Sequence, residues 1–266
     1  MIELESVQKT LLLPLWGRAV ETRKAHPRLE DRAAADIIAS VDYDFSTIAA
    51  NISPLTRLGW IARSLHTDRT TREFLATHAG ATIVNIGCGL DTTFERVDDG
   101  RLRWYDLDLP DVIELRRGFI ADSDRRRSIA CSVLDETWMD QVPADGAVLF
   151  IAAGVFYYFE EAKIRSLLRR FAGRFSGAEV LFDACSPRGL RLANTRVIKA
   201  GGMDQSAILR WGLRRAADIE SWDPRIRVLD DYPIFRNLRR TLPVRARIAT
   251  VISDFLRIMF MVHLRV

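Results

Sequence analysis

Lysine is nearly missing from this 266-residue chain. It occurs only at positions 9, 24, 163 and 199, leaving 35 arginines among 39 basic residues. The formal charge is only +4, and the arginines are scattered. Arg125-Arg126-Arg127 is the one tight cluster, expected in a loop. Two origins of the skew stay open: a codon bias, or a surface that attracts acidic small molecules or nucleic acid. With no basic run or stripe, nucleic-acid binding is not expected. Cysteine is scarce too. Cys88, Cys131 and Cys185 lie too far apart for a metal-ligand motif or a disulfide framework. No metal site is expected, and a reducing cytoplasmic compartment is. Repeats, low-complexity tracts and long apolar runs are also missing. Residues 11–16 are too short a run for a secretion leader and follow Glu3 and Glu5. Residues 248–266 are apolar but carry Asp254, Arg257, His263 and Arg265. They are expected to be buried protein rather than a membrane span, and no membrane partner is expected.

What is present is an ordinary globular mixture, 48% hydrophobic and 28% charged, enough for one α/β domain with an elaborated lid. Residues 6–24, 30–40 and 54–79 have apolar positions at helical spacing, so residues 1–80 are expected to form a helical N-terminal lid. Thr67 or Asp68 is an expected N-cap and Gly80 an expected helix stop. From residue 81 to 266 short apolar runs alternate with amphipathic segments. Strands are expected at 81–86, 103–107, 128–132, 147–152, 179–185, 225–230 and 257–265. Helices are expected at 91–97, 110–121 and 160–175, with a helical insertion at about 188–222. This alternation predicts a Rossmann-like, doubly wound α/β fold: a mostly parallel seven-stranded sheet with an antiparallel C-terminal strand.

The first expected strand of that core runs into Asn85-Ile86-Gly87-Cys88-Gly89-Leu90-Asp91. Glycines there let the backbone pass close to a ligand. A dinucleotide loop would place a third glycine where this chain has Thr92. Asp91 at the following helix start repels a pyrophosphate and suits a cationic ligand instead. S-adenosylmethionine carries a sulfonium and an α-amino group, and no phosphate. The next strand ends Trp104-Tyr105-Asp106-Leu107-Asp108-Leu109-Pro110, where an acidic side chain can accept both hydroxyls of a ribose. Asp108 has the expected reach, 19 positions past Gly89, and Asp106 is its rival.

Together these two motifs, with Arg96 between them, resemble the leucine carboxyl methyltransferase family. The closer resemblance is to its bacterial branch, the tetracenomycin-type polyketide O-methyltransferases. Arg18-Ala19-Val20-Glu21, Ala35-Asp36-Ile37-Ile38, Asp42-Tyr43-Asp44-Phe45, Ile61-Ala62-Arg63, Ser132-Val133-Leu134-Asp135 before Trp138, and Ala153-Gly154-Val155-Phe156-Tyr157-Tyr158 extend the likeness over nearly the whole chain. The resemblance implies a class I S-adenosylmethionine-dependent methyltransferase. In it Arg63 would bind the methionine carboxylate, Arg18 would assist from the lid, Gly87 would lie against the cofactor and Asp108 would hold the ribose. Cys88, Gly89, Asp91, Thr92, Leu109, Ser132, Val133 and Ala153 complete the expected cofactor set. Two positions depart from the family pattern. Ser132 stands where many relatives have an acidic residue near the adenine, and Ala153 where many have glutamate.

Methyl transfer from a sulfonium is an in-line displacement, so proximity and exclusion of water can supply much of the rate. A base is optional: a carboxylate acceptor is already ionised, whereas a phenol gains from one. The candidate bases or substrate orienters are His66, His26, Tyr157, Tyr158 and Asp183, with Tyr157 and His66 the leading catalytic candidates. The Ala152–Tyr157 stretch lacks the N/D-P-P-Y motif of base and amide methylases, which favours O-methylation of a small-molecule hydroxyl or carboxyl. A protein or peptide carboxyl acceptor, a nicotinamide-dependent oxidoreductase and a silent cofactor-binding module are the alternatives. The sequence carries no indication of oligomeric state.

Overall fold

The computed structural model describes residues 6–41, 43–46, 50, 52–195 and 208–266, without the side chains of 6–10. Asp42 of the Asp42-Tyr43-Asp44-Phe45 match lies outside the described residues. The apolar runs become one sheet: β1 (Thr82–Ile86), β2 (Arg103–Asp108), β3 (Arg126–Ala130), β4 (Val148–Ala152), β5 (Glu179–Ala184), β6 (Arg227–Pro233) and β7 (Phe260–Arg265). Their order is β3-β2-β1-β4-β5-β7-β6. The pairings among β1 to β5 are parallel, and β7 runs antiparallel to both β5 and β6. Every residue of β1, β4 and β5 is buried, as expected of central strands covered on both faces. Beneath one face Phe150 of β4 stacks on Phe171 at 4.1 Å, and Trp138 meets both rings edge-on. The chain leaves β1 toward β2 on one side and resumes with β4 on the other. This opens a crevice at the carboxyl ends of β1 and β4, where doubly wound sheets bind ligands.

Eight α-helices frame the sheet among the described residues. They are α1 (Ser6–Thr22), α2 (Arg32–Ser40), α3 (Pro54–Thr77), α4 (Thr93–Val97), α5 (Pro110–Arg117), α6 (Glu161–Arg174), α7 (Pro187–Ala193) and α8 (Val244–Phe255). The first three precede β1, and Leu12, Leu15, Trp16, Ala34, Ile37 and Ile38 form a separate apolar cluster with Leu90 of the loop after β1.

Four local expectations are corrected. Helix α3 is not started by Thr67 or Asp68. Ser53 caps it by accepting from Thr56 N, Pro54 follows, and the helix continues unbroken to Thr77. Asp68 is mid-helix and turned inward, where it pairs with Arg96 at 2.8 Å. Strand β3 starts at Arg126 rather than 128, so two of the three clustered arginines are strand residues, not loop. Arg126 is buried because Asp106 lies beside it, a partner no local pattern reveals. The 188–222 segment is less helical than its periodicity predicts. Beyond α7 it holds one 3-10 helix (Ala216–Trp222), residues 208–213 have no helix or strand, and 196–207 lie outside the described residues. Residues 248–266 are only partly buried. β7 is core, whereas α8 turns Ile248, Val251, Ile252 and Phe255 outward.

Candidate functional site

The turn after β1 is held open by glycine geometry. Gly87 and Gly89 have φ of +60° and +46°, the left-handed region that side-chain-bearing residues rarely adopt. A Cβ on Gly87 would sit 2.6 Å from Val155 Cγ2, and one on Gly89 would sit 2.9 Å from Leu11 Cδ2. The loop therefore threads between Val155, just past β4, and Leu11 of α1 with no room to spare. At the end of β2, Asp108 accepts from Gly89 N at 2.7 Å and from Leu109 N at 2.8 Å. Its pKa is raised, first by burial, and the two backbone bonds only partly offset this. Such a carboxylate has unused acceptor capacity, which hydroxyl donors would satisfy.

Asp106, its rival in the sequence, has no capacity left. It is fully buried: Oδ1 accepts from Asn85 Nδ2 at 3.0 Å and Trp104 Nε1 at 2.9 Å, and Oδ2 accepts from Arg116 Nη2 at 3.0 Å and Arg126 Nε at 2.7 Å. Burial alone would raise its pKa, but Arg116 and Arg126 hold it below the usual carboxylate range. Arg116, equally buried, also donates to Gly89 O at 2.7 Å and Asp91 O at 2.8 Å, so it supports the glycine loop from below. Asp91 is burdened by burial, yet Arg18, Arg96 and the bonds from Thr93 bring its pKa down to about 2. It stays anionic at the helix α4 start, as the sequence reading requires of a neighbour for a cationic ligand. The buried Cys88 thiol is pushed well up by burial and is not a nucleophile at neutral pH.

Asp31, which the sequence analysis did not single out, joins the N-terminal helices to this loop. Its Oδ1 caps α2 through Ala34 N at 3.0 Å. Its Oδ2 accepts from Arg18 Nε at 2.8 Å, Thr92 Oγ1 at 2.6 Å and Arg96 Nη1 at 2.6 Å. Arg18 also reaches Leu90 O at 3.2 Å. Arg18 and Thr92, both expected at the cofactor, are thus engaged with Asp31 and buried within the support of the loop. A hydrogen bond and an ion pair that join positions 61 and 65 residues apart leave no periodic trace in a sequence.

Arg63, on α3, reaches the opposite side of the crevice. Its Nη1 donates to Asp183 Oδ2 and to Tyr157 Oη, each at 3.2 Å. Asp183, at the end of β5 and wholly buried, accepts Gly154 N on its other oxygen at 2.6 Å. The guanidinium is held through one nitrogen, in a shell nearly closed to water, with a side-chain exposure of 11%. Burial, followed by the nearby Asp183 charge, raises the Tyr157 pKa well above the ordinary phenol value. Ser132 and Val133 follow the end of β3, Leu109 is exposed after β2, and Ala153 follows β4 half-buried. Asp108, Ser132 and Ala153 thus stand just at or beyond the carboxyl ends of three strands, with Gly87 at the end of a fourth.

His66 lies elsewhere. Its Nε2 is 2.8 Å from Ile234 O, and its ring packs on Tyr232 with centroids 4.7 Å apart. That nitrogen must donate, so the bond is structural and the candidate base is not aimed at the crevice. Burial is the main force lowering its pKa to about 4, despite the Ile234 bond, with Arg69 and Arg236 adding to it. The folded pKa is below the unfolded value, so the unfolded state takes up the proton first as pH falls. The neutral histidine's contribution is complete above pH 6.5 and is lost between 6.5 and about 4. Unfolding free energy is expected to fall by on the order of 2 kcal/mol between pH 6.5 and 5 from this group. Urea melts of the wild type and His66→Gln at both pH values check this; equal slopes in the two proteins would remove His66 as the cause.

Residues 12–172 match the family described as leucine carboxyl methyltransferase. The chain is 35% identical to the tetracenomycin polyketide synthesis O-methyltransferase TcmP of Streptomyces glaucescens, over 87% of this chain and 84% of that one. It is 31% identical to the S-adenosyl-L-methionine-dependent methyltransferase dpfgK of Gibberella zeae, over 69% of this chain and 67% of that one. In fold it resembles a duf574 family protein from Streptomyces avermitilis, with a TM-score of 0.59 at 13% identity over 96% of both chains. A methyltransferase from Anabaena variabilis superposes with a TM-score of 0.51 at 13% identity, over 74% of this chain and 82% of that one.

Proposed function

Because the chain belongs to the leucine carboxyl methyltransferase family and is an S-adenosylmethionine-dependent methyltransferase, we propose that it methylates an oxygen of a small, polyketide-type acceptor in the cytoplasm, with Asp108 on the cofactor ribose and Arg63 on its carboxylate. The observation that carries the site assignment is the contrast between Asp106, saturated by four donors, and Asp108, which keeps acceptor capacity beside Gly89. The donor set suits the cofactor: an under-satisfied carboxylate for two hydroxyls, a close-approach glycine loop, and a guanidinium for a carboxylate. Bound S-adenosylmethionine supplies the electrophilic methyl group on a sulfonium. Arg63, fixed at Nη1 by Asp183 and Tyr157, orients the amino-acid end. Leu11 of α1 closes over Gly89 and keeps water from the loop.

Neither leading catalytic candidate, Tyr157 nor His66, acts as a base in this reading. The Tyr157 phenol is held protonated, and His66 is turned to Ile234. The acceptor oxygen is therefore one that ionises unaided, a carboxylate or an acidic phenol or enol, and proximity supplies the rate.

Calorimetry with S-adenosylhomocysteine and with 5′-methylthioadenosine, which lacks the amino-acid end, tests the assignment. Asp108→Ala is expected to weaken both ligands. Arg63→Met is expected to weaken S-adenosylhomocysteine by about tenfold to a hundredfold and leave 5′-methylthioadenosine unchanged. Equal losses for the two ligands in Arg63→Met would remove Arg63 from the carboxylate. Phe substituted for Tyr157 should reproduce a smaller part of the same selective loss.

A further inference from the structure

Helix α8 is amphipathic the wrong way round for a surface helix of a globular protein. Thr250, Ser253 and Asp254 are buried, and Asp254 accepts from Phe235 N and Arg239 Nη2. The outward side carries Val244, Ile248, Val251, Ile252 and Phe255, which are 68%, 56%, 44%, 54% and 85% exposed. Five of the nine large exposed hydrophobics among the described residues thus lie on this one 12-residue helix, too many for scattered surface apolar residues. At helical spacing the five fall in an arc of about 100°. Arg245 flanks that arc on one edge and Arg247 on the other, both exposed. The only carboxylate of α8, Asp254, is buried against Arg239 and shows no charge to the surface.

We propose that the α8 face seats the enzyme on an anionic lipid surface, with the five apolar side chains entering the headgroup boundary and Arg245 and Arg247 meeting lipid phosphates. Two features select this occupant. The charged residues that flank the stripe on α8 are both arginines, which complements an anionic surface. A second copy stacked on the same stripe would set arginine rims against each other with no exposed carboxylate on α8 to receive them. No helix among the described residues is long and apolar enough to cross a membrane, so the contact is in-plane and peripheral. This departs from the sequence expectation of no membrane partner, and the reason is three-dimensional: periodicity shows an apolar stripe but not whether it faces in or out.

Flotation of the full-length protein with vesicles of phosphatidylcholine alone, or with one third phosphatidylglycerol, tests the proposal. The wild type is expected to float with the anionic vesicles, to be released by high salt, and to stay behind with the neutral ones. Ile248→Ser with Phe255→Ser should abolish flotation, and each of Arg245→Gln and Arg247→Gln should weaken it about fivefold. S-adenosylhomocysteine affinity should be unchanged in all four substitutions, which shows that they fold and separates this proposal from the site assignment. Failure of the wild type to float, or equal binding to both vesicle types, overturns it. A wild-type dimer in sedimentation that Phe255→Ser dissociates, without vesicle binding, would instead give the face to a second copy.

Discussion

Asp106→Ala is expected to lower the unfolding free energy by about 3–5 kcal/mol, the range for removing one partner of a buried ion pair. The carboxylate is fully buried, and its loss leaves Arg116 without an anionic partner and Arg126 with Glu95 alone, together with the freed donors of Asn85 and Trp104. Arg116 would keep its bonds to Gly89 O and Asp91 O, and Arg126 its contact with Glu95, so the loss stops short of complete unfolding. Asp106→Asn should fall nearly as far. One of its two edges must present an N–H either to the two arginines or to the Asn85 and Trp104 donors. Urea denaturation read by tryptophan fluorescence measures both variants. A midpoint shift within the range of ordinary surface substitutions would mean that water satisfies the arginines and that the pair is not a structural centre. The pair also predicts acid sensitivity. The folded pKa of Asp106 is depressed, so its contribution is present above the unfolded carboxylate pKa and is lost as pH falls below it.

The second large effect should fall on the N-terminal helices rather than on the sheet. Asp31→Ala removes the shared acceptor of Arg18, Thr92 and Arg96 and the cap of α2. Arg96 retains Asp68, but Arg18 keeps only neutral partners, Leu90 O and Thr92 Oγ1. A loss of about 3–5 kcal/mol from the buried pairing is expected, with about 1 kcal/mol more from the cap. Because Asp31 bonds span α1, α2 and the loop before α4, the loss should appear as opening of residues before β1. Amide exchange should quicken in α1 and α2 while β1, β4 and β5 stay protected. S-adenosylhomocysteine affinity should fall with it, since Leu11 and Leu90 lose their seat over the glycine loop. Uniform acceleration across the sheet would show that the helices and sheet unfold as one unit and that Asp31 is not a local fastener.

The centre of the sheet was legible from the sequence because β1, β4 and β5 are mostly apolar runs set between amphipathic segments, the pattern of a doubly wound sheet. The ends of β1 and β2 were legible because glycine and aspartate there answer to local demands, a left-handed turn and an exposed strand tip. The charged interior was not. Asp31, Asp68, Asp106, Arg116 and Arg126 look like solvated surface until the partner is adjacent, and those partners come from distant segments. One trace existed: Arg116 falls on the face of α5 that also buries Val112 and Ile113, where an arginine requires an acceptor.

The sequence by itself therefore determined the fold class, the family and the glycine turn after β1, since these depend on local backbone conformation and on periodic burial. Only the tertiary structure showed Asp106 saturated and Asp108 with acceptor capacity to spare, turned His66 toward Ile234, and set the apolar stripe of α8 outward. Each of those depends on which groups are neighbours in space. A carboxylate's free capacity, a histidine's acceptor and a helix's exposed face are properties of the surroundings that folding supplies.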